Sequence, residues 1–497
     1  MHALFLLCLL ASDSVPQVKF LGETGGSAEV YPSPVPPPSQ KPLPINLPSA
    51  LALAGSAPLD IAIAAQRVEA AAADLDRANA LWLPTIFLGA DYFRHDGQLQ
   101  DIAGRVFTTS RSAMMAGAGP SAVFALSDAI YTPLAARKEL AARRADSQAA
   151  RNDITLLVAQ TYFDVQRARG EVAGSLETVR RASVLLSRAE KIAPGLVPEL
   201  EVARVRNELS RRKLAVESAY ESWQIRSADL TRVLRLEPST LVVPVEPPQM
   251  SVTLTEPTTS LDNLVVLALT KRPELRSHQA SVQAAITRLQ QERLRPLVPS
   301  VLLRGNATNP SGTLSSGYFG GGVNSNVGAF AMRNSVNVQV VWELQNLGLG
   351  NRALVRRRTA EQEEAHLRLF RLQDQIAAEV VQAHARLERA RVRRSLAEDS
   401  LRDAQTTLDK SLDGLTQTKR TGEMLILVVR PQEVVAALSA LDQGYRDYYT
   451  AVTDANRAEF ELYRALGHPA QEMLPNAKPP ADKPQPLAIT TSLPLTR

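Results

Sequence analysis

The stretch "NSVNVQVVWEL", residues 334–344, decides which fold this sequence predicts. On an extended backbone, successive side chains point to opposite faces. One face carries the apolar side chains of Val336, Val338, Val340 and Trp342. The other face carries the polar side chains of Asn337, Gln339 and Glu343. The pattern predicts a β-strand with two different faces, although the sequence around it is mostly charged, alanine-rich and helical in its periodicity.

The composition favours packed helices over a thick globular core. Hydrophobic residues make up 45% of the 497 residues, but aromatic residues make up only 5%. Helices that pack through Ala, Leu and Val need few aromatic side chains. The net charge of +5 includes the basic run 356–358, which alternates with acidic residues on the same helical stretch. Without aromatic side chains to stack on bases, this run indicates a solvated helix face and not a nucleic-acid site.

The N-terminus resembles a targeting segment. The apolar run 3–11 is similar to the hydrophobic region of a signal peptide, although no Lys or Arg precedes it. The single cysteine, Cys8, excludes a disulfide framework and a cysteine-built metal site. Lipidation of Cys8 is an alternative, but Leu7 stands where lipoprotein signals have a small residue. After this run no window of 18 uninterrupted apolar residues predicts a membrane-spanning helix.

The remainder divides into two similar halves separated by proline-rich segments. We predict a signal-like and proline-rich tail at 1–46, a first repeat at 47–237, a linker at 238–258, a second repeat at 259–467 and a C-terminal tail at 468–497. Each repeat opens with an apolar helix, a proline and a second helix, at an offset of about 215 residues. The halves therefore indicate an internal duplication.

In each repeat the pattern then changes to alternation, followed by a very long helix. We predict strands at about 85–93, 121–131, 300–308 and 334–344, with polar loops at about 94–119 and 309–333. Heptad spacing predicts long helices at about 133–193 and 351–420. Return helices are expected at about 199–235 and 423–466, after turns near Gly195 and Gly422. Each repeat is thus a coiled hairpin of helices attached to a pair of strands.

Four such strands cannot stand alone in a bilayer, because open sheet edges leave backbone groups unpaired in hydrocarbon. Three copies would supply twelve strands around a water-filled lumen. The side chains predicted to face lipid are those of Ile86, Leu88, Val301, Leu303, Val336, Val338, Val340 and Trp342. The side chains predicted to face the lumen are those of Arg304, Asn306, Asn337, Gln339 and Glu343.

This duplicated order of elements resembles the TolC family of outer membrane efflux proteins. The resemblance rests on "ALALAGSAPLDIAIAAQRVEAA", "LALTKRPELRSHQASVQAA" and "GLVPELEVARVRNELSRRKL", and it covers about residues 47–470. It implies a mainly α-helical homotrimer, in which a twelve-stranded barrel in the outer membrane continues as a helical barrel across the periplasm. It also implies an exit duct for a tripartite efflux pump or a type I secretion system, with a periplasmic adaptor and an inner-membrane pump as partners.

The family often places acidic residues six and nine positions after the turn glycine, where they ring a closed pore. Here Glu201 and Arg204 hold these positions after Gly195, while Val428 and Pro431 hold them after Gly422, with Arg430 adjacent. Three copies of Glu201 near an axis would attract cations. The alternative is an ion pair of Glu201 with Arg204 or Arg430 on a solvated turn.

The turns also carry apolar stretches, at 194–200 and 423–429, which either contact an adaptor or pack inside the trimer.

The sequence contains no metal-ligand pattern, phosphate-binding glycine loop or nucleophilic triad that we recognise, so we expect neither an enzyme nor a cofactor. The glycine-rich segment 317–328 is expected to be a flexible external loop. An alternative function, a periplasmic coiled-coil adaptor or scaffold, explains the heptads but not the four two-faced strands.

Overall fold

The computed structural model describes residues 41–55, 58–255, 260–304, 314, 316–323, 326–421 and 424–468. The chain forms two compact units. The sheet unit comprises Leu59–Ala150 and Val265–Glu379, and the turn unit comprises the described residues of Met1–Pro58, Arg151–Leu264 and Val380–Arg497. Neither unit coincides with a predicted repeat, because each combines corresponding parts of both halves of the sequence.

The same order of elements occurs twice along the chain. The first series is β1 (Lys41–Ile45), α1 (Leu47–Ala54), α2 (Leu59–Asn79), β2 (Thr85–Gln100), β3 (Val106–Ala125), α3 (Leu126–Leu196) and α4 (Glu199–Leu234). The second is β4 (Thr240–Pro244), α5 (Leu261–Lys271), α6 (Pro273–Leu294), β5 (Ser300–Arg304), β6 (Ser316–Val323), β7 (Gly328–Asn334), β8 (Asn337–Val341), α7 (Leu349–Gly414), β9 (Thr418–Thr421), β10 (Met424–Leu427) and α8 (Pro431–Ala465).

The six strands β2, β3 and β5–β8 form one antiparallel sheet in the sheet unit. β3 pairs along its length with β2, and on its other side with β5 and β6 in succession. β8 and β7 pair in turn with β5 and β6. The six segments therefore lie along four strand lines, the number that the sequence predicts.

The strands of the first repeat are longer than predicted. The expected loop at 94–119 is mostly strand, because Thr85–Gln100 pairs residue by residue with 106–121 and only 101–105 form the turn. The expected strand at 121–131 ends at Ala125, where α3 begins. Small residues permit this pairing: a Cβ atom on Gly117 would lie 2.1 Å from the carbonyl oxygen of Ser316 on β6. Glycine here allows close approach of two backbones and does not mark a loop.

The second repeat also departs from the predicted strand and loop bounds. The glycine-rich segment at 317–328, expected to be a flexible loop, contributes to the β6–β7 hairpin. The strand expected at 300–308 is described as far as Arg304, and the one expected at 334–344 is confined to Asn337–Val341. The physical reason is again backbone pairing, since Ser316–Val323 pairs with β3 on one side and β7 on the other.

The helices of the second repeat end and begin differently from the prediction. The long helix expected to reach 420 ends at Gly414, and the return helix expected from 423 begins at Pro431. Between them β9 and β10 form an antiparallel ribbon. Proline suits the first helical position and disfavours helix in the residue before it, so Pro431 fixes where α8 begins. In the first repeat α3 begins before the predicted residue 133, with Asp128 in its first turn, where the helix dipole favours an acid.

The predicted proline-rich linker at 238–258 contains strand β4, which pairs in parallel with β1 from the predicted tail. The hydroxyl of Tyr162 on α3 donates to Glu246 Oε2, and Glu246 Oε1 accepts the N–H of Leu47 at 2.9 Å. Burial, with the neighbouring Glu246 carboxylate, raises the pKa of Tyr162, so the phenol stays a donor. Prolines in β1 and β4 are compatible with this ladder because every strand of a two-stranded sheet is an edge strand.

Helices α3, α4, α7 and α8 enclose an apolar cluster in the turn unit. Its members are Ala182, Leu185, Ala189, Val205, Leu401, Leu408, Leu412, Leu415, Val434, Ala437, Leu438, Leu441, Tyr445 and Tyr449. Gly174 on α3 permits a close crossing of α8, since a Cβ atom there would lie 2.8 Å from Cβ of Tyr445. Small residues and a few large ones thus pack the hairpins together, as the low aromatic content predicts.

Candidate channel wall and helical turns

The register of the sheet assigns each predicted strand residue to a face. Side chains of directly paired residues lie on the same face. Val301 pairs with Val340, and Leu303 pairs with Val338. Across β3, Phe124 pairs with Val301, and the even-numbered residues of β3 pair with Ile86 and Leu88. The register therefore brings the predicted lipid-facing positions on β2, β5 and β8 to one face, together with the even-numbered positions of β3.

That face is apolar and largely uncovered. Leu88 is 80% exposed, Ile86 64% and Val338 62%, and Val336 just before β8 is 77% exposed. Tyr318 of β6 and Met332 of β7, a directly paired couple on the same face, are 69% and 72% exposed. Large apolar side chains at such exposure are costly in water, so this face indicates contact with a membrane or another protein.

The opposite face holds part of the predicted lumen set. Gln339 pairs with Leu302, and Asn337 pairs with Arg304, so Asn337, Gln339 and position 304 share this face. Asn306 lies outside the described residues. Glu343 and Trp342 follow the end of β8 at Val341, so the prediction that both lie on the strand is wrong. Glu343 accepts a hydrogen bond from Gln345 Nε2 at 3.1 Å, as part of the turn that leads into α7.

The sheet has two open edges among the described residues. The 16-residue β2 pairs only with β3, and β7 and β8 pair only with β6 and β5. Long unpaired edges are normally blunted, covered or joined to other strands. Both edges therefore offer unpaired backbone groups to further strands.

The first helical turn is tight. α3 ends at Leu196, with Gly195 in its last turn, and α4 begins at Glu199. Glu201 lies in the first turn of α4, where its Oε1 accepts from Arg204 Nη1 at 2.6 Å. Its Oε2 is buried without a hydrogen-bond partner in the described part of the chain. The structure thus brings two of the three predicted pore residues together as an ion pair.

The second turn is longer and differs in kind. Gly422 lies outside the described residues, between β9 and β10. Arg430, the third predicted pore residue, is the exposed cap residue that precedes α8. Of the apolar residues near the two turns, Val197 is buried, whereas Leu200 and Val428 are 61% and 52% exposed. The turn segments thus combine internal packing with uncovered apolar side chains.

Residues 51–234 match the family model of the outer membrane efflux proteins. No curated protein sequence matches the chain. Among solved structures, the outer-membrane channel OprN is 18% identical with a TM-score of 0.67, over 85% of this chain and 89% of that one. VceC from Vibrio cholerae is 17% identical with a TM-score of 0.65, over 85% and 96%. The first half of the chain thus resembles the outer membrane efflux proteins in sequence, and the chain shares the fold of these outer-membrane channels.

A further member of the fold, the MtrE outer membrane channel of Neisseria gonorrhoeae in its open state, is 15% identical with a TM-score of 0.64, over 85% of this chain and 89% of that one. The described residues contain no group of His, Cys, Asp or Glu that could hold a metal ion. The predicted resemblance to this family is confirmed by the family-model match and by the shared fold.

Two ionic clusters, each centred on a buried carboxylate, are not predicted from the sequence. On α4 and α8, Arg212 Nη1 donates to Asp442 at 2.6 Å, and Arg446 also donates to Asp442, whose side chain is only 3% exposed. On α3 and α7, Arg181 joins Glu177 to Asp409, with distances of 2.7 and 2.5 Å. The only sequence signal for these clusters is that Arg and acidic residues lie three or four positions apart within one helix. Ion pairs on helix surfaces show the same spacing, so the signal does not identify a buried carboxylate.

The electrostatics of Glu177 differ from those of a surface carboxylate. Burial alone would raise its pKa, but hydrogen bonds and positive charge from Arg180 and Arg181 outweigh burial and hold the pKa below the ordinary value of 4.5. The carboxylate therefore remains ionised and links α3 through Arg181 to Asp409 of α7. These clusters connect the two helical hairpins inside the turn unit.

Proposed function

We propose that the protein is the outer-membrane exit duct of an export system, a passive homotrimeric channel that extends from the outer membrane into the periplasm. The observation that carries this proposal is the four-line sheet, which has one uncovered apolar face and two open edges. Three copies would close twelve strand lines into a barrel and remove both edges. The family-model match over residues 51–234 and the fold shared with the channels reported above support the same function.

In this proposal the apolar face contacts lipid and the face of Asn337 and Gln339 lines the lumen. On β2 the large apolar side chains of this face, Ile86, Leu88 and Tyr92, lie in the first half of the strand. Arg94 and Asp96 follow on the same face and pair with each other at 3.2 Å. A spanning strand needs only about 9–11 residues. The outer half of the 16-residue β2 would therefore extend beyond the hydrocarbon layer.

A matched pair of substitutions on β8 tests the two faces. Val338→Arg places a charge on the lipid face, where it costs about 2–4 kcal/mol near the bilayer midplane. Gln339→Arg places the same charge on the lumen face. We expect Val338→Arg to reduce trimer recovered from outer membranes, and Gln339→Arg to retain the trimer but alter its conductance in planar bilayers. Equal tolerance of both variants, or a soluble protein extracted without detergent, would contradict the proposal and favour a periplasmic scaffold.

For the periplasmic constriction we propose Glu201, Arg204 and Arg430. Because Arg204 is bonded to Glu201, the two side chains oppose each other in any effect on passing ions. We expect Glu201→Ala to weaken cation preference and Arg204→Ala to strengthen it, in reversal-potential measurements across a salt gradient. Unchanged ion preference in both variants would remove this pair from the pore.

The proposed partners are a periplasmic adaptor, which would contact the turns near Gly195 and Gly422, and an inner-membrane pump that supplies energy. Leu200 and Val428 are uncovered apolar side chains available for such a contact. Crosslinking in cells, followed by affinity purification, identifies the inner-membrane partner. A drug or ion pump would assign the duct to tripartite efflux, and an ATP-driven polypeptide exporter would assign it to type I secretion.

A further inference from the structure

The lumen face of the sheet carries aromatic side chains as well as polar ones. Odd-numbered residues of β3 share the face of Asn337, because residue 304 pairs with both strands. Odd-numbered residues of β2 and β6 pair with those of β3, so Phe87, Phe93 and Phe319 lie on this face. A water-filled barrel is normally lined by polar side chains. Three phenylalanines on the lumen face therefore indicate a surface that contacts an apolar group.

One row of paired residues crosses three strands of this face. Asp91 of β2 pairs with Met115 of β3, and Met115 pairs with Phe319 of β6. Met115 is only 1% exposed, whereas Asp91 and Phe319 are half-buried and remain accessible. Asp91 makes no hydrogen bond or ion pair with another residue that the structure describes. A half-buried carboxylate beside apolar side chains is stabilised by a positively charged partner, so Asp91 is suited to bind a cationic group.

A positive charge lies at the other end of this row. Arg333 of β7 pairs with Gly317, two residues from Phe319. Its guanidinium carbon lies 5.5 Å from the centre of the Phe319 ring, which is a cation–π contact. Its Nε donates to Ser335 Oγ at 3.4 Å. Asp91 and Arg333 stand on strands that are three spacings apart, so their backbones are separated by about 14 Å across the sheet.

Glycines open a recess beside the row. Gly89, Gly117 and Gly317 pair with one another across the same three strands. A Cβ atom on Gly89 would have no atom beyond its chain neighbours within 4 Å, so this part of the face is open. Phe87, 40% exposed, bounds the far side of the glycine row, four residues before Asp91 on β2. Four residues of strand span about 14 Å, which leaves room for two aromatic rings.

We propose that the aromatic recess, formed by Phe87, Asp91, Phe319, Arg333 and the glycine row, is a binding subsite for one class of exported compound. Compounds of this class combine an aromatic ring system with an ammonium group at one end and a carboxylate at the other. The ring stacks on Phe319, the ammonium group pairs with Asp91, and the carboxylate accepts hydrogen bonds from Arg333. The inference rests on the proposed duct and adds a substrate class to it. The two opposite charges favour this class over lipid chains, and the phenylalanines favour it over small polar solutes.

Single-channel recordings of the full-length trimer in planar bilayers test the subsite. The probe is a biphenyl with an aminomethyl group at one end and a carboxylate at the other. We expect this probe to cause reversible blocks of the current. The blocks should be about tenfold shorter with a biphenyl that lacks either charge, and with an aliphatic amino acid of the same length.

Substitutions in the aromatic recess assign each contact to a residue. Asp91→Asn should shorten the blocks by the full probe about tenfold and leave those by the biphenyl carboxylate unchanged, because only the ammonium contact is lost. Arg333→Gln should do the converse and leave the blocks by the biphenyl amine unchanged. Phe319→Leu keeps an apolar side chain but removes the ring, so it should shorten the blocks by every aromatic probe. Asp96→Asn, on the outward face of β2, is the matched control and should change no block duration.

The outcomes separate this inference from the proposed function. A conducting trimer whose blocks are equally long with all probes, or do not respond to Asp91→Asn and Arg333→Gln, would overturn the subsite and leave the duct in place. These two charge variants decide the question even where Phe319→Leu does not assemble. A chain that forms no conducting trimer would overturn both proposals.

Discussion

The two helical turns of the turn unit connect equivalent helices but are built differently. In the first repeat only Val197 and Pro198 separate α3 from α4. In the second repeat the chain leaves α7 at Gly414, forms the β9–β10 ribbon and enters α8 at Pro431. A Cβ atom on Gly414 would lie 2.5 Å from Cγ2 of Val429, so the end of the second segment packs directly on the end of α7.

The comparison shows that buried residues flank the second turn on both sides, whereas at the first turn Val197 is buried and Leu200 beyond it is exposed. Leu415 and Val434, on either side of the ribbon, are fully buried in the apolar cluster. Leu200 beside the first turn is largely exposed, and the first turn of α4 is joined by the Glu201–Arg204 pair. The turns should therefore respond very differently to substitution.

Leu415→Ala tests how much buried apolar packing stabilises the second turn. Removing a fully buried leucine typically costs about 2–5 kcal/mol, because the apolar contacts are lost and a cavity remains. We expect a loss of this size in the free energy of unfolding, measured by urea denaturation of the protein in detergent. Leu200→Ala is the matched control at the first turn, where we expect less than about 0.5 kcal/mol. Similar losses at both positions would contradict the contrast between the turns.

Asp442→Asn tests the ionic link between the return helices α4 and α8. Asp442 is buried between Arg212 and Arg446, and removing its charge leaves Arg212, 12% exposed, with Glu208 as its acidic partner and the Ser439 hydroxyl as a neutral one. Breaking a buried pair costs about 3 kcal/mol. Arg446→Gln is the control, because Arg446 is 52% exposed and its surface pairing is worth about 1 kcal/mol or less. A denaturation midpoint unchanged by Asp442→Asn would show that the cluster does not join the hairpins.

Glu177→Gln tests the ionic link between α3 and α7, because the effect of this substitution on the free energy of unfolding should depend on pH. Because the folded-state pKa lies below the ordinary 4.5, ionised Glu177 stabilises the fold above pH 4.5, and this stability is lost as the pH falls through the folded-state value. We expect Glu177→Gln to cost about 2 kcal/mol at pH 7. The difference from the unsubstituted protein should shrink below pH 4.5. A difference independent of pH would exclude the charge as its source.

Glu201→Ala should have the smallest effect on stability. Its ion pair with Arg204 is partly exposed, with the Arg204 side chain 55% exposed, and pairing and helix-dipole contributions in such a first helical turn are each about 0.3–1 kcal/mol. Thermal unfolding in detergent should shift by no more than a few degrees. A loss comparable to that of Leu415→Ala would show that the first turn is also held by burial.

Residue periodicity predicts much of this fold, because the spacing of apolar residues within a single strand or helix reflects the geometry of that element alone. The alternation in Val336, Val338 and Val340 predicts a two-faced strand, and the observed register assigns Val338 and Val340 to the apolar face. Heptad spacing predicts the long helices, and their observed bounds extend the first one on both sides.

What the sequence could not predict depends on contacts between distant residues. Gly117 and Gly317 suggest loops by composition, yet they lie opposite each other in paired strands. The sequence predicts helix for the apolar segment after Gly422, and only its pairing with 418–421 makes it a strand. In the candidate site, proximity of Glu201 to Arg204 follows from their spacing on one helix, but the burial of Asp442 between two helices does not.

Native mass spectrometry of the protein extracted from outer membranes in detergent tests the central claim most directly, namely that other copies complete the sheet. The open edges of β2 and of β7 with β8 predict a species of three copies that survives removal of the detergent micelle. A protein recovered only as a monomer, with both sheet edges open and no copies bound, would contradict the account.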